Sequence, residues 1–592
     1  MRNVTRIVAL LLVAALFIMI PVAGAQDDDP GFASGEPILA PNTGTDMSTF
    51  NPLFYGDGTS GAIIGRMYPS IISIDPQTGL EVPNLDGAMA TGWEFNEDGT
   101  VVTIALREDM FWTDGTPVTA HDYVYSTQVV RSGLIDSPRE SMFETLDDGT
   151  PAGGAITDIQ ALDDFTVQVT FNSADCVAFS DINNVAVVPR AEFEAAFGDD
   201  YAAMLDDPLR LPEVVYGPWG DPEFAPGERV SLLPVEGYAD NEPGYVVPNE
   251  YIYLNIPDTT VAVERFLAGE LTYIPVPAAR QEEIEGNPDY QSYRFDGNSF
   301  SFFAFNTADP ENPQPGLDEN GDAIDQGLHP IFSDVRVRQA LGMAFDKGAM
   351  LEGILDGNAT LVATHTTPNS WVYDETLQYT YDPDMALELL AEAGWVDDDD
   401  DPTTPLICDG CLYATEVDPD FAGSPLEFEL MIGSGSETGE QIAIFFDSQL
   451  EELGITVDLQ VVDFNSVLVP EMLGQTYDMV QLAWSLAYPI DPDVTRFYGP
   501  GADQPGGGFN FVSFNNERLN ELLAEARTIP GCDQDARAEL YAEAQQILFD
   551  EMPYLYLSVP SSLTAVQNTV TGFDPTPVSR VWNEDAWFIE AP

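Results

Sequence analysis

Residues 93–126 read WEFNEDGTVVTIALREDMFWTDGTPVTAHDYVYS, and the elements in this stretch decide the fold. Asn96-Glu97-Asp98-Gly99 is turn chemistry. Behind it Val102, Ile104 and Leu106 alternate with less apolar neighbours, as a half-buried strand requires. Asp114-Gly115-Thr116-Pro117 makes a second turn, and Thr119 is placed to cap a helix opening with Ala120-His121-Asp122. Strand, turn and helix start follow one another, and none of these residues suggests catalysis.

Four further segments carry readable periodicity. Asp382-Pro383-Asp384 starts a helix in which Ala386, Leu389, Leu390 and Ala393 share one face and Gly394 stops it. Ser333-Asp334 likewise caps a helix with Val337, Ala340, Leu341, Ala344 and Phe345 on one side. Leu519, Leu522, Leu523 and Ala526, then Leu540, Ala544, Ile547 and Leu548, predict a helical pair broken at Pro530-Gly531. Between Leu426 and Val462 lies a βαβ unit: strand 426–432, a helix with Ile442, Phe445, Phe446, Leu450 and Leu453, then strand 455–461. Such a unit implies parallel strands joined by a right-handed crossover. Gly433-Ser434-Gly435-Ser436 follows the first strand without the Gly-Lys-Ser/Thr of a phosphate loop, so it reads as a plain strand-to-helix turn.

Composition narrows the partners. The chain has 592 residues, 44% hydrophobic and 11% aromatic, enough for two or three folded lobes. Twenty basic side chains face 100 acidic ones, for a formal charge of −80. Such a surface repels nucleic acid and anionic membranes. It suits either a solvated acidic coat for salty surroundings or the capture of cationic ligands. Acidic, Gly/Pro-rich stretches at 309–326 and 397–405 read as solvated surface loops. The latter lacks the glycine and closing glutamate of a twelve-residue calcium loop.

Export is written at the start. Arg2 and Arg6 precede an apolar run at 7–20, and Val22-Ala23-Gly24-Ala25 makes a small-residue cleavage site, so residues 1–25 are expected to be a signal peptide. No cysteine lies near Ala25 to carry a lipid, which predicts a protein free in a periplasm or outside the cell. In that setting disulfides are the default for Cys176, Cys408, Cys411 and Cys532. A local Cys408–Cys411 bridge is preferred over half of a zinc site, since a second CxxC is missing. Cys176 and Cys532 are either free or paired together.

Enzymatic motifs are missing. His121, His329 and His365 stand in unrelated contexts without HExxH, and no G-x-S-x-G elbow occurs. So many acidic residues guarantee accidental carboxylate pairs, which leaves a secreted glycoside hydrolase as the remote enzyme alternative. No cofactor, metal or catalytic residue is expected.

The opening stretch resembles the segment W-x-x-s-x-D-G-x-x-y-t-f-x-L-R…D-G-x-p-x-t-A-e-D-v-x-f-S of the extracellular solute-binding proteins of peptide-type ABC importers. SFFAFNTADP, PIFSDVRVRQALGMAFDKGAMLEGILDGNA, YDPDMALELLAEAGW, TYDMVQLAWSLAYPIDPD and the tail FNNERLNELLAEAR…LYAEAQQILFDEMPYLYL resemble later blocks of the same family, in order. The chain is thereby identified as a member of solute-binding protein family 5, the oligopeptide- and dipeptide-binding class. The resemblance implies a monomeric α/β protein of two lobes, a type II periplasmic-binding-protein-like fold with an extra subdomain. It closes by a hinge on its ligand and delivers it to permease subunits in the membrane. Carried over, the first lobe comprises 36–60, 213–297 and 553–592, its subdomain 61–212, and the second lobe 298–552. The cleft is expected to present Asp57, Gly58 and Thr59 from one side and Trp484, Ser485, Tyr488 and Asp491 from the other. Trp484 either stacks on a ligand or is a core residue, and Asp491 is either a ligand contact or a helix-start cap. Short-peptide binders place an Asp three residues after the cleft Trp and, in some members, Arg just before it; here Ala487 stands at the first position and VPEMLGQTYDMVQLAW lacks Arg and Lys. With both charge anchors missing, longer peptides held by main-chain bonds are expected rather than free dipeptides, with an oligosaccharide as the alternative.

Overall fold

The computed structural model describes residues 35–590 apart from 237, 239–246, 400–403 and 489. The expected signal peptide and the middle of the 397–405 loop lie outside the described residues.

The opening stretch folds as its chemistry dictates. Gly99 takes φ +72° at the turn, and Val101–Leu106 runs as a strand with Val102, Ile104 and Leu106 buried. Helix Ala120–Arg131 begins with a capping box, the Thr119 backbone N–H donating to Asp122 Oδ2 at 2.8 Å. The strand is inside a four-stranded antiparallel sheet in the order Ala90–Phe95, Val101–Leu106, Thr166–Phe171, Ile156–Asp163. A second sheet orders Ile38–Asn42, Tyr251–Asn255, Arg229–Pro234 and Trp219–Ala225, with only its first pair parallel. Both sheets feed one apolar core that also takes Val566, Val570 and Trp587 from the end of the chain.

The βαβ unit forms a larger α/β body. Glu427–Gly433 and Thr456–Val462 are parallel, in register from Glu427↔Thr456 to Gly433↔Val462, with helix Glu437–Glu451 between them. The five-stranded sheet continues through Met479–Ser485 and Ser299–Phe305 to Tyr554–Tyr556. Its two faces are covered by different helices, a consequence of alternation along each strand. Phe303, Leu430 and Ile432 pack under Val335–Ala344, Pro383–Glu392 and Glu437–Glu451, with Phe303 4.5 Å from Phe446. Phe302, Met431 and Val480 pack under Glu517–Thr528 and Gln534–Glu551. The Pro530 break between those helices falls where expected.

Two paired strands carry the chain between these bodies. Tyr290–Asp296 runs antiparallel to Ser558–Gln567, and Ser299–Phe305 antiparallel to Tyr554–Tyr556, so both crossings lie side by side. Gly297 N–H donates to Pro560 O at 2.9 Å at the crossing. Tyr554–Tyr556 belongs to the five-stranded sheet and Ser558–Pro560 still pairs with Ala359–Leu361, so the return crossing lies opposite Gly297, near Pro560, rather than at Met552.

Cys408 pairs with Cys411, and Cys176 pairs with Cys532. The second disulfide ties helix Cys176–Asp181 to the break between the C-terminal helices. Arg527 reinforces it by pairing with Asp175 and, at 3.5 Å, with Asp493. The 309–326 stretch is an exposed loop in which Asp318 Oδ1 accepts from the N–H groups of Asn320 and Asp322 at 2.7 and 2.9 Å. No helix among the described residues is long and apolar enough to cross a membrane.

Candidate functional site

Helix Gly58–Ile64 is short, and its cap determines where it points. Asp57 Oδ1 accepts from Ser60 N–H at 2.7 Å, and Oδ2 from the hydroxyls of Ser48 and Ser60 at 2.6 and 2.7 Å. Burial would raise this carboxyl, but those donors hold it below its usual range. Thr59 is buried and donates to Thr45 O at 2.8 Å. Asp57 and Thr59 are thus spent on local structure, and the next turn, Gly61 and Ala62, reaches open space.

That space is a cavity of about 860 Å3. One wall is the 61–66 turn with Ser70 and Asp86; another is the C-terminal run Trp582, Asn583, Glu584 and Asp585. Tyr488 closes it from the other body, its hydroxyl donating to Pro577 O at 3.3 Å. At its margin Arg66 and Glu584 form a bidentate pair, Nε–Oε1 at 2.5 Å and Nη2–Oε2 at 2.7 Å, with the guanidinium 4.3 Å over the Tyr251 ring. Burial opposes the Arg66 charge, and Glu584 restores it, so its pKa lies above the usual value. An adjoining hollow of about 330 Å3 shares Tyr55, Asn183 and Asn184 and adds Arg139, which stacks 3.9 Å over Tyr55. Asp181 in that hollow is pushed up to about 6, by burial first and by the negative charge of Asp175.

Of the expected cleft residues, Tyr488 lines the cavity and Asp57, Gly58 and Thr59 sit at the helix start one turn before it. The others lie elsewhere. Trp484 is in an aromatic cluster with Phe497 at 4.8 Å, Phe509 at 5.4 Å and Phe302 at 6.4 Å. Ser485 is exposed at the strand end, paired with Ser299. Asp491 Oδ2 accepts from Arg537 Nη2 at 2.6 Å, and its Oδ1 accepts from Asp493 N–H at 2.9 Å, in a small hollow beside His365. Arg66, Glu584, Asp585 and Trp582 were not anticipated. They sit in a loop and a single helical turn that carry no periodic pattern, and only the acidic-aromatic run VWNEDAWF marks the place.

A two-bodied α/β chain crossed twice side by side, with a cavity of ligand size, is the architecture of a solute-binding protein. The chain belongs to the bacterial extracellular solute-binding proteins, family 5, whose model matches residues 84–516. It is similar to the oligopeptide-binding protein AppA of Bacillus subtilis, 23% identical over 94% of this chain and 90% of that protein. It is also similar to the periplasmic oligopeptide-binding protein OppA of Salmonella typhimurium, 26% identical over 93% and 92%. Among solved structures, that of B. subtilis AppA in complex with a nonapeptide shares the fold, with a TM-score of 0.62 at 22% identity, over 95% of this chain and 100% of that one.

Proposed function

We propose that this protein is the extracellular substrate-binding component of an ABC importer, which captures oligopeptides in the cavity and hands them to permease subunits. The observation that carries the proposal is the cavity itself. At about 860 Å3 it lies near the upper end of the roughly 300–1,000 Å3 typical of ligand sites; the first lobe and its subdomain supply most of its wall, and Tyr488 reaches it from the second body. The relatives named above are oligopeptide-binding proteins, and one is solved with a nonapeptide. Longer peptides fit better than dipeptides, because Ala487 stands where short-peptide binders place an Asp and Asp491 is already paired with Arg537. The family is one of binding proteins rather than enzymes. Trp582, 44% exposed at the cavity, gives the oligosaccharide alternative a surface on which a sugar ring can stack.

The proposed first lobe is 36–60, 213–297 and the segment from Ser561 onward; the subdomain is 61–212, and the second lobe takes 298–560. Cleavage after Ala25 releases the mature protein to the periplasm or the medium as a monomer. Native mass spectrometry of protein purified without denaturation tests the ligand class. Co-purified masses that fragment as peptides are expected; hexose ladders with no peptide would replace this function with sugar capture.

A further inference from the structure

Asp585 lines the cavity and is only 8% exposed. Among the described residues no hydroxyl, imidazole, ammonium or guanidinium is paired with its carboxylate. Its acidic neighbours each have a cation: Glu584 is held by Arg66, and Asp86 has Arg107 at 3.7 Å. A buried carboxylate without a counter-charge is costly, and proteins meet that cost by protonation or by pairing. Burial, with the negative charges of Glu584 and Asp86, pushes this carboxyl up to about 6, although its own backbone amide and that of Ala586 oppose the rise. At neutral pH a surplus negative charge therefore stands at the wall of a cavity that Tyr238 and Trp582 also line.

We infer that Asp585 binds the ammonium group of the ligand, supplied either by a peptide's free amino terminus or by a lysine side chain. This rests on the cavity being the peptide site proposed above. It gives the chain a charge anchor in the cavity, apart from the Trp484 cluster. An incoming ammonium replaces the missing counter-charge.

The test is calorimetry at 0.5 M sodium chloride, which screens the general attraction of an acidic protein for cations. Four alanine-based oligopeptides serve as probes: free amino terminus, N-acetylated, N-acetylated with a central lysine, and N-acetylated with a central norleucine. Ammonium-bearing peptides are expected to bind about tenfold tighter or more than their capped, lysine-free counterparts. The first and third arms separate the two ammonium sources. Asp585→Asn should abolish the preference, whereas Glu590→Gln, at an exposed acid on the same C-terminal segment, should keep it. Equal affinity for all four peptides overturns the inference while leaving peptide capture intact, as does a preference that survives in Asp585→Asn. If the Asn variant does not fold, Asp585→Ser replaces it under the same criteria. If no peptide binds, peptide capture fails, and a thermal shift with cadaverine decides the anchor. A rise that depends on Asp585 supports it, and no rise sinks it.

Discussion

Replacing Cys176 and Cys532 together with serine should lower stability without changing the native structure. The two cysteines are 356 residues apart, so their bond closes a very long loop in the unfolded chain. The chain-entropy estimate for a loop of that length is about 6 kcal/mol at 25 °C, and measured disulfides usually deliver less, so roughly 4–6 kcal/mol is expected. In the folded state the same two segments stay together through Arg527, which bridges Asp175 and Asp493. The loss should therefore act through the unfolded ensemble. With an unfolding entropy of about 2.1 cal/mol/K per residue, the 592-residue chain carries about 1.2 kcal/mol/K. A melting-point drop of about 3–5 °C follows if the protein unfolds as one unit, and a larger one if the second body melts alone. Differential scanning calorimetry of the wild type and the double variant, both oxidised, is the assay, with near-ultraviolet circular dichroism to show that packing is retained. Coincident melts would refute the reasoning, because they would mean that the bridge constrains nothing in the unfolded chain.

Other outcomes follow from charge. The melting temperature should climb with sodium chloride, since a formal charge of −80 repels itself and salt shortens that repulsion to about 10 Å at 0.1 M; a flat curve would contradict this. Stability in low salt should also rise as pH falls from about 6 to about 4. Asp181, Asp493 and Asp585 sit at about 6 in the folded protein, above their unfolded value of 3.8, so the native state takes up protons first. His365, lowered to about 4 by burial, opposes them over the same range, but three carboxyls outweigh one imidazole. Below that range the trend should reverse as groups such as Asp478, buried but held low by its hydrogen bond to His329, lose their charge. Urea midpoints at pH 5 and pH 7.5 check the sign. Arg537→Met should cost about 2–4 kcal/mol, because Asp491 and Tyr541 lose their partner in a largely buried site; adding Asp491→Leu should recover part of that loss. A cost under about 0.5 kcal/mol for the single variant would show the pair to be idle.

The periodic parts of this fold were legible and the cavity was not, for a physical reason. Capped helices and the βαβ unit declare themselves because burial of one face imposes a repeat on the residues, as in Leu519, Leu522, Leu523 and Ala526. The cavity wall is set by tertiary approach instead. Arg66 meets Glu584 across more than five hundred residues of chain, and neither position has a local pattern. Tyr488 and Trp484 stand in one block that resembles the family; Tyr488 lines the cavity, whereas Trp484 packs half-buried against Phe497 and Phe509. Asp57 looked like a cleft residue for its neighbourhood, yet its carboxylate caps its own helix.

The central claim is that this chain is a peptide receptor, and the most direct test is calorimetric titration of the unliganded mature protein with a random oligopeptide pool beside a set of oligosaccharides. Peptide dissociation constants of about a micromolar or tighter, near −8 kcal/mol, with no heat from the sugars, are predicted; sugar binding at that strength with silent peptides would contradict the account.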